Sequence, residues 1–329
     1  MDDGIKVHRL GVPLMPGLNT IRSPEALLRL ERILRAEKYD IVHAHTALSP
    51  LALAGVYKAR KLGIPSLLTE HSVLRGAGSV MLRAADRLAY WTSWPTVISA
   101  VSEFVADELR TLTKQGNIHV LLNATRIEDW QVDHREELRV TSVMRFTRRK
   151  SPIDIVRMIP EVFARLPQHL RPRFTIIGDG PERANVEREA QALGVSDYLE
   201  LPGFLPRQEI RDFLSRSAVF ILPTQKEALS IVAIEARAAG LPVVARTPNG
   251  VAEVVRHGVH GFLAPTTEDF IAHLVELLRN RELRAEMSAR ARQGLELFGW
   301  DQAIERHMQV YGLAMQRHQH SRVAVAQGA

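Results

Sequence analysis

Short apolar runs alternate with amphipathic stretches along almost the whole chain. Residues 41–42, 66–69, 96–100 and 119–122 read as buried strands. Between them, residues 24–37, 50–61 and 102–111 read as helices, the last with Ser102 as its N-cap. The polar stretch 128–137 interrupts the series and reads as a linker. Beyond it, strands at 139–144, 173–177, 199–201, 218–222 and 242–245 are separated by helices at 153–165, 182–193, 208–215 and 229–239. Helices at 267–279 and 281–298 follow, and a final amphipathic helix starts near Trp300 and fades before the tail at 318–329.

Short apolar strands alternating with helices imply parallel sheets covered on both faces. The expected fold is α/β, with two Rossmann-like parallel-sheet domains facing a cleft and ligands beyond the carboxyl ends of the strands. Domains are expected at 1–137 and 138–298, with a closing helix and tail at 299–329.

Composition narrows the function classes. The 329 residues are 46% hydrophobic and 24% charged, ordinary for a chain with a full core. The chain has 0 cysteines, which excludes a disulfide scaffold, a thiolate zinc site and a cysteine nucleophile, and fits a reducing compartment. No apolar run approaches the ~18–20 residues of a membrane span, and the first residues carry no secretory signal pattern. A soluble, cytoplasmic protein is expected. The net charge of +6 favours anionic partners. Nucleic acid is not among those expected, because neither zinc-finger spacing nor a basic heptad region nor an aromatic ribonucleoprotein motif is present.

The chemistry concentrates after two strands. Glu227 lies in the loop between a strand and a helix, and Glu235 stands within that helix. Exposed amides at the start of a helix attract an anion. A diphosphate bound at Ala228, Leu229 and Ser230 would leave one carboxylate for a sugar and the other for a ribose. The same spacing also fits two solvated glutamates on an alanine-rich helix. Arg145, Arg148, Arg149 and Lys150 follow another strand of the series, which places them at the same carboxyl edge. Cations there could stabilise a diphosphate leaving group without a metal ion, although such a cluster also fits a solvated loop. His43 and His45 share a strand face, with no third metal ligand in view.

Arg145 and Lys150, Glu227-x7-Glu235 and the run Ala-Ala-Gly-Leu-Pro-Val-Val at 238–244 together resemble the retaining glycosyltransferases of family 4, which have the GT-B architecture. Gly178-Asp179-Gly180, Gly250-x-x-Glu253 and Gly258-x-x-Gly261 resemble further landmarks of that family in the same order. The segments 40–50 and 67–72 are closest to the branch that transfers N-acetylglucosamine to phosphatidylinositol.

The resemblance implies a role for each matching position. Arg145 and Lys150 would hold the donor diphosphate together with the amides of Ala228, Leu229 and Ser230. Glu235 would bind the ribose, and Gly178 and Gly180 would form the donor loop. Glu227 and His71 would act on the transferred sugar as catalytic residues, with no metal and no cofactor. The donor would be a nucleotide sugar, specifically a UDP-sugar such as UDP-N-acetylglucosamine. The acceptor would be a sugar, an inositol-containing compound or a lipid-linked molecule, reached through peripheral contact with the inner membrane face.

Two departures qualify the match. Residues 1–10 resemble a segment that follows the family's first βαβ unit, so the N-terminal, acceptor-side sheet is expected to lack its first strands. Residues 123–126 read Asn-Ala-Thr-Arg where the family commonly has Asn-Gly-Val-Asp. The alternative reading is a catalytically inactive paralogue or fragment that binds nucleotide sugars. A dinucleotide-dependent oxidoreductase would require a Gly-x-Gly-x-x-Gly after its first strand, and none is present.

Overall fold

The computed structural model describes residues 4–10, 24–74, 76–113, 117–133 and 137–327. Contacts divide the chain into two compact units, one formed by Met1–Leu121 with Ile304–Ala329 and the other by Leu122–Ala303.

In the first unit the order is α1 (Pro24–Ala36), β1 (Val42–His45), α2 (Pro50–Leu62), β2 (Ser66–Glu70), α3 (Ala77–Ala89), β3 (Val97–Ala100), α4 (Glu103–Thr113) and β4 (Ile118–Val120). The four strands form one parallel sheet in the order β1-β2-β3-β4. Local chemistry sets the helix ends. Ser49 Oγ accepts from the Ala52 amide at the start of α2, and Gly63 closes that helix in the left-handed conformation at φ 69°. Ser102 Oγ accepts from the Val105 amide and caps α4, as the sequence suggested. Helix α3 is a finding, because it starts after Gly76 without a side-chain cap and no start signal marks it in the sequence.

In the second unit the order is β5 (Arg139–Val143), α5 (Pro152–Arg165), β6 (Arg173–Ile177), α6 (Arg183–Ala192), β7 (Leu199–Gly203), α7 (Arg207–Ser215), β8 (Val219–Leu222), α8 (Ile231–Ala238), β9 (Val243–Arg246), β10 (Gly261–Ala264), α9 (Thr267–Arg279) and α10 (Arg281–Arg290). Six parallel strands are ordered β10-β9-β8-β5-β6-β7. The core runs between this sheet and its helices and includes Val140, Phe174, Val219, Val244, Phe270 and Leu274. Ile127 and Trp130 are buried inside this unit, so the polar stretch after residue 127 is anchored by its apolar members. Residues 134–136 of that stretch lie outside the described residues.

Helix α11 spans Trp300–Gln327. Val310 and Ala314 pack against Leu67, Val97 and Leu121, so α11 covers part of the sheet of the first unit. The expectation that it fades before residue 318 is corrected. No proline or glycine interrupts the chain from residue 313 until Gly328, and the helix continues. The expected helix at 281–298 is also corrected. It stops at Arg290, and a separate 3-10 turn covers Leu295–Phe298. Residues 261–264, which carry the end of the Gly258-x-x-Gly261 landmark, form β10 beside β9.

Beyond the ends of β5 and β6 the two chain segments run in main-chain contact. The Met144 amide donates to the Ile177 carbonyl at 2.9 Å and the Phe146 amide to the Asp179 carbonyl at 2.9 Å. A Cβ on Gly178 would lie 1.9 Å from the Met144 carbonyl oxygen, and one on Gly180 would lie 2.5 Å from that of Phe146. Only glycine permits this splice. Gly178→Ala is therefore expected to lower stability by about 3 kcal/mol in urea denaturation. Gly194→Ala, where nothing lies within 4 Å, should cost only the left-handed conformation, about 1 kcal/mol.

Candidate functional site

The splice fixes the loop that carries Arg145 and Lys150. Parallel pairing of β5 with β8 sets this loop beside the segment that leads to α8. The Lys150 ammonium donates to Glu227 Oε2 at 2.6 Å, and both side chains are mostly buried. The Arg149 guanidinium donates to the Lys226 carbonyl at 3.2 Å, and Thr224 Oγ1 donates to the Lys150 carbonyl at 3.3 Å. The two loops are thus tied by main-chain and side-chain bonds. Arg145 is exposed and forms no ion pair among the described residues.

A second brace lies behind Glu227. The Gly250 amide donates to the Glu227 carbonyl at 2.8 Å, and a Cβ on Gly250 would lie 1.8 Å from the Ala228 carbonyl oxygen. Asn249 Nδ2 donates to the carbonyls of Thr224 and Arg246, while its Oδ1 accepts from the Val251 amide. The Gly-x-x-Glu turn therefore shapes the loop at 224–228 from below.

Ser230 begins α8 under strain. It adopts φ 83° and ψ 83°, and its hydroxyl is buried without a hydrogen-bond partner among the described residues. The Ala233 and Ile234 amides both turn to the Ser230 carbonyl, so the amides before them precede the helical ladder. A strained serine with an unanswered hydroxyl, beside a helix start and a lysine, is the arrangement expected of an anion site.

A cavity of about 350 Å³ opens along this edge, lined by Arg145, Lys150, Gly178, Asp179, Phe204 and Val232 among others. The sequence alone does not single out Phe204. It follows β7 in Gly203-Phe204-Leu205-Pro206, is 86% exposed and lines the cavity beside Arg145 and Lys150. A bulky aromatic after a strand end was the available signal. Glu235 lies three residues beyond Val232 and so on the same face of α8. Burial pushes its carboxyl up to about 7, against a weaker opposing pull from the Arg207 guanidinium.

His71 belongs to the first unit, where His71 Nε2 is 2.8 Å from His45 Nδ1. His43 bridges Tyr311 of α11 and Thr69 of β2 at 2.8 and 2.7 Å. Burial holds His43 down to about 3 and His71 down to about 4, so both rings are neutral near pH 7. The buried Glu70 carboxylate organises the strand ends, accepting from Thr46 Oγ1 and from the amides of Ala47, His71 and Ser72. Although these histidines cluster, no group of three or more His, Cys, Asp or Glu among the described residues is arranged to hold a metal ion.

Residues 125–294 match the glycosyl transferases group 1, and residues 2–129 match glycosyltransferase family 4. The chain belongs to the glycosyl transferases group 1. It is 25% identical over 282 residues to the phosphatidylinositol N-acetylglucosaminyltransferase gpi3 subunit of Schizosaccharomyces pombe, a match covering 84% of this chain and 61% of that protein. It is also 25% identical to a D-inositol 3-phosphate glycosyltransferase of Nocardiopsis dassonvillei, over 87% of this chain and 73% of that one.

Among solved structures, Staphylococcus aureus TarM in complex with UDP superposes with a TM-score of 0.72 at 16% identity, covering 87% of this chain and 59% of TarM. Anabaena HepE in complex with UDP and glucose gives a TM-score of 0.69 at 17% identity, covering 88% and 81%. These likenesses establish the fold. The chain thus spans less than two thirds of both the gpi3 subunit and TarM.

The burial of Glu235 has a measurable cost. Its folded pKa of about 7 lies above the usual 4.5, so the folded state is most favoured below 4.5 and loses that advantage as pH rises through 7. Glu235→Gln is expected to leave stability unchanged in acid and to raise it by about 3 kcal/mol at alkaline pH. Thermal melts across the pH range read this directly.

Proposed function

We propose that this protein transfers a glycosyl group from a nucleotide sugar to a hydroxyl acceptor. The observation that carries the reading is the cavity at the carboxyl edge of the six-stranded sheet. Arg145 and Lys150 line it together with the spliced glycine loop, and Lys150 reaches Glu227 just ahead of α8. Cations, a helix start and a strained, unanswered serine hydroxyl suit a diphosphate. Glu235, one turn along from the cavity wall, suits the ribose hydroxyls, and Phe204 suits a base or other flat group.

The reading favours a UDP-sugar, such as UDP-N-acetylglucosamine, because the HepE and TarM structures hold UDP. It favours an inositol-containing or lipid-linked acceptor because the gpi3 subunit and the inositol phosphate enzyme bear those names. The C1–oxygen bond to the diphosphate breaks as the acceptor oxygen bonds to C1, and the acceptor proton passes to the leaving phosphate. Transfer keeps the anomeric configuration, needs no metal and relies on Arg145 and Lys150 to stabilise the departing charge. Glu227 and His71 contact the transferred sugar. The location is cytoplasmic, in keeping with a cysteine-free chain, with peripheral contact at the inner membrane face.

A thermal-shift screen of UDP-, GDP- and ADP-sugars tests the donor assignment. A UDP-sugar should raise the melting temperature, and Lys150→Ala should abolish the rise; no response to any nucleotide sugar would refute the assignment. Glu235→Ala should weaken donor binding, whereas Glu227→Ala should slow turnover roughly 10²–10³-fold with binding retained. Donor affinity should strengthen as pH rises through about 7, where Glu235 ionises, and Glu235→Gln should flatten that dependence. An intact nucleotide sugar is the right probe, because the terminal phosphate of a free nucleoside diphosphate titrates in the same range.

A further inference from the structure

We propose that the second unit carries an accessory binding site for a phosphorylated sugar, in a cavity lined by α7, residues 131–133 and Arg292. The proposal does not rest on the donor reading. Transfer needs an acceptor beside the donor's sugar, and this cavity shares no lining residue with the one around Arg145 and Lys150. Its ligand is therefore a third molecule.

The cavity measures about 490 Å³, within the range of small-molecule sites. Arg211 and Arg216 reach it from the end of α7, and Arg292 from beyond α10. Arg216 is neutralised, since it donates to Asp212 Oδ2 at 2.8 Å. Arg211 and Arg292 are not. The Arg211 guanidinium donates to the Gln208 side-chain oxygen and the Gln131 carbonyl, both at 3.1 Å. Arg292 donates to the Ala238 carbonyl at 2.8 Å and the Val132 carbonyl at 3.3 Å. Neither forms an ion pair among the described residues. Neutral oxygens orient a guanidinium without cancelling its charge, and N–H donors are left over on both. The Arg211 Nε is also buried with no hydrogen-bond partner among the described residues, an unfavourable setting for a charged donor. Arg237 likewise ends on carbonyls, but it is buried and its charge faces no open space. Arg211 is half-buried and Arg292 exposed.

The charges and the lining decide what the cavity takes. Asp212 is committed to Arg216, which leaves the exposed Asp133 as the other acid in the lining. Solvent screens an exposed carboxylate, so the half-buried Arg211 and its neighbour Arg292 set the sign. Two guanidinium forks from different elements suit a phosphate, whose oxygens accept parallel N–H bonds. The rest of the wall selects the rest of the ligand. Gln131, Gln208 and Ser215 offer amide and hydroxyl groups to a ligand's hydroxyls. The lining holds no aromatic ring, so a nucleotide base finds no platform for stacking. The volume exceeds what a bare phosphate needs and leaves room for the sugar.

Isothermal titration of the full chain with glucose 6-phosphate, glucose and inorganic phosphate tests the proposal. Glucose 6-phosphate should bind, inorganic phosphate should bind about tenfold more weakly, and glucose should not bind. R211Q/R292Q should weaken glucose 6-phosphate about thirtyfold. Arg292 also braces the end of α8, so a second variant reads the site without removing a brace. D133N removes the exposed acid and should tighten binding about threefold, an effect that loss of structure could not produce. K150A should leave this binding unchanged. The proposal is overturned if glucose 6-phosphate does not bind, or if glucose or inorganic phosphate binds as tightly. It is equally overturned if D133N binds as the wild type does, or if K150A abolishes binding and so places the phosphate in the other cavity. Binding that survives K150A, in a protein that no nucleotide sugar stabilises, would sink the donor assignment and leave this site standing.

Discussion

Lys150 and Glu227 meet across the carboxyl edge of a parallel sheet, and the candidate site is built around that meeting. The two residues are far apart in sequence, and further bonds from Arg149 and Thr224 tie the loops that carry them. The register of β5 against β8 brings them side by side, while the glycine loop after β6 pins the chain just before Arg145. The turn at Gly250 supports the segment around Glu227 from the other side. The position of two cations and one carboxylate therefore depends on three backbone approaches, two of which admit no side chain larger than hydrogen. Such approaches are affordable only where the sheet itself is rigid, which the fully buried strand β8 provides.

Several features of this edge work against stability. Glu235 is buried enough to resist ionisation, Ser230 sits in an unfavourable backbone region, and its hydroxyl has no hydrogen-bond partner among the described residues. A sequence shaped for folding alone would place glutamine or alanine at the first and glycine at the second. Local rules broken together at one strand edge point to a ligand that answers them. The first unit shows the contrasting case. There Glu70 is buried more deeply than Glu235, yet four donors satisfy it and its effect is to order the loops around His71.

Much of this architecture was legible in the sequence because parallel strands buried on both faces appear as short apolar runs, and the loops after them carry the polar chemistry. Arg145, Lys150 and Glu227 could be placed at one edge from strand ends alone. What could not be read depended on three-dimensional neighbours. Helix α3 starts after a glycine with no side-chain cap to announce it; β10 is four residues long and begins at a glycine; α11 continues through a small-residue tail that has no breaker until Gly328. The meeting of His45 with His71 joins the end of β1 to the residue just after β2, across a register that no spacing reveals. Phe204 is one phenylalanine among ten until its exposure beside the cavity is known.

The most direct measurement is a crystal structure of the protein with an intact UDP-sugar. The account predicts the diphosphate between Arg145, Lys150 and the amides of Ala228–Ser230, with the Ser230 hydroxyl and one carboxylate oxygen of Glu235 each gaining a partner. A nucleotide bound elsewhere, with Lys150 still held by Glu227 and the Ser230 hydroxyl still alone, would contradict it.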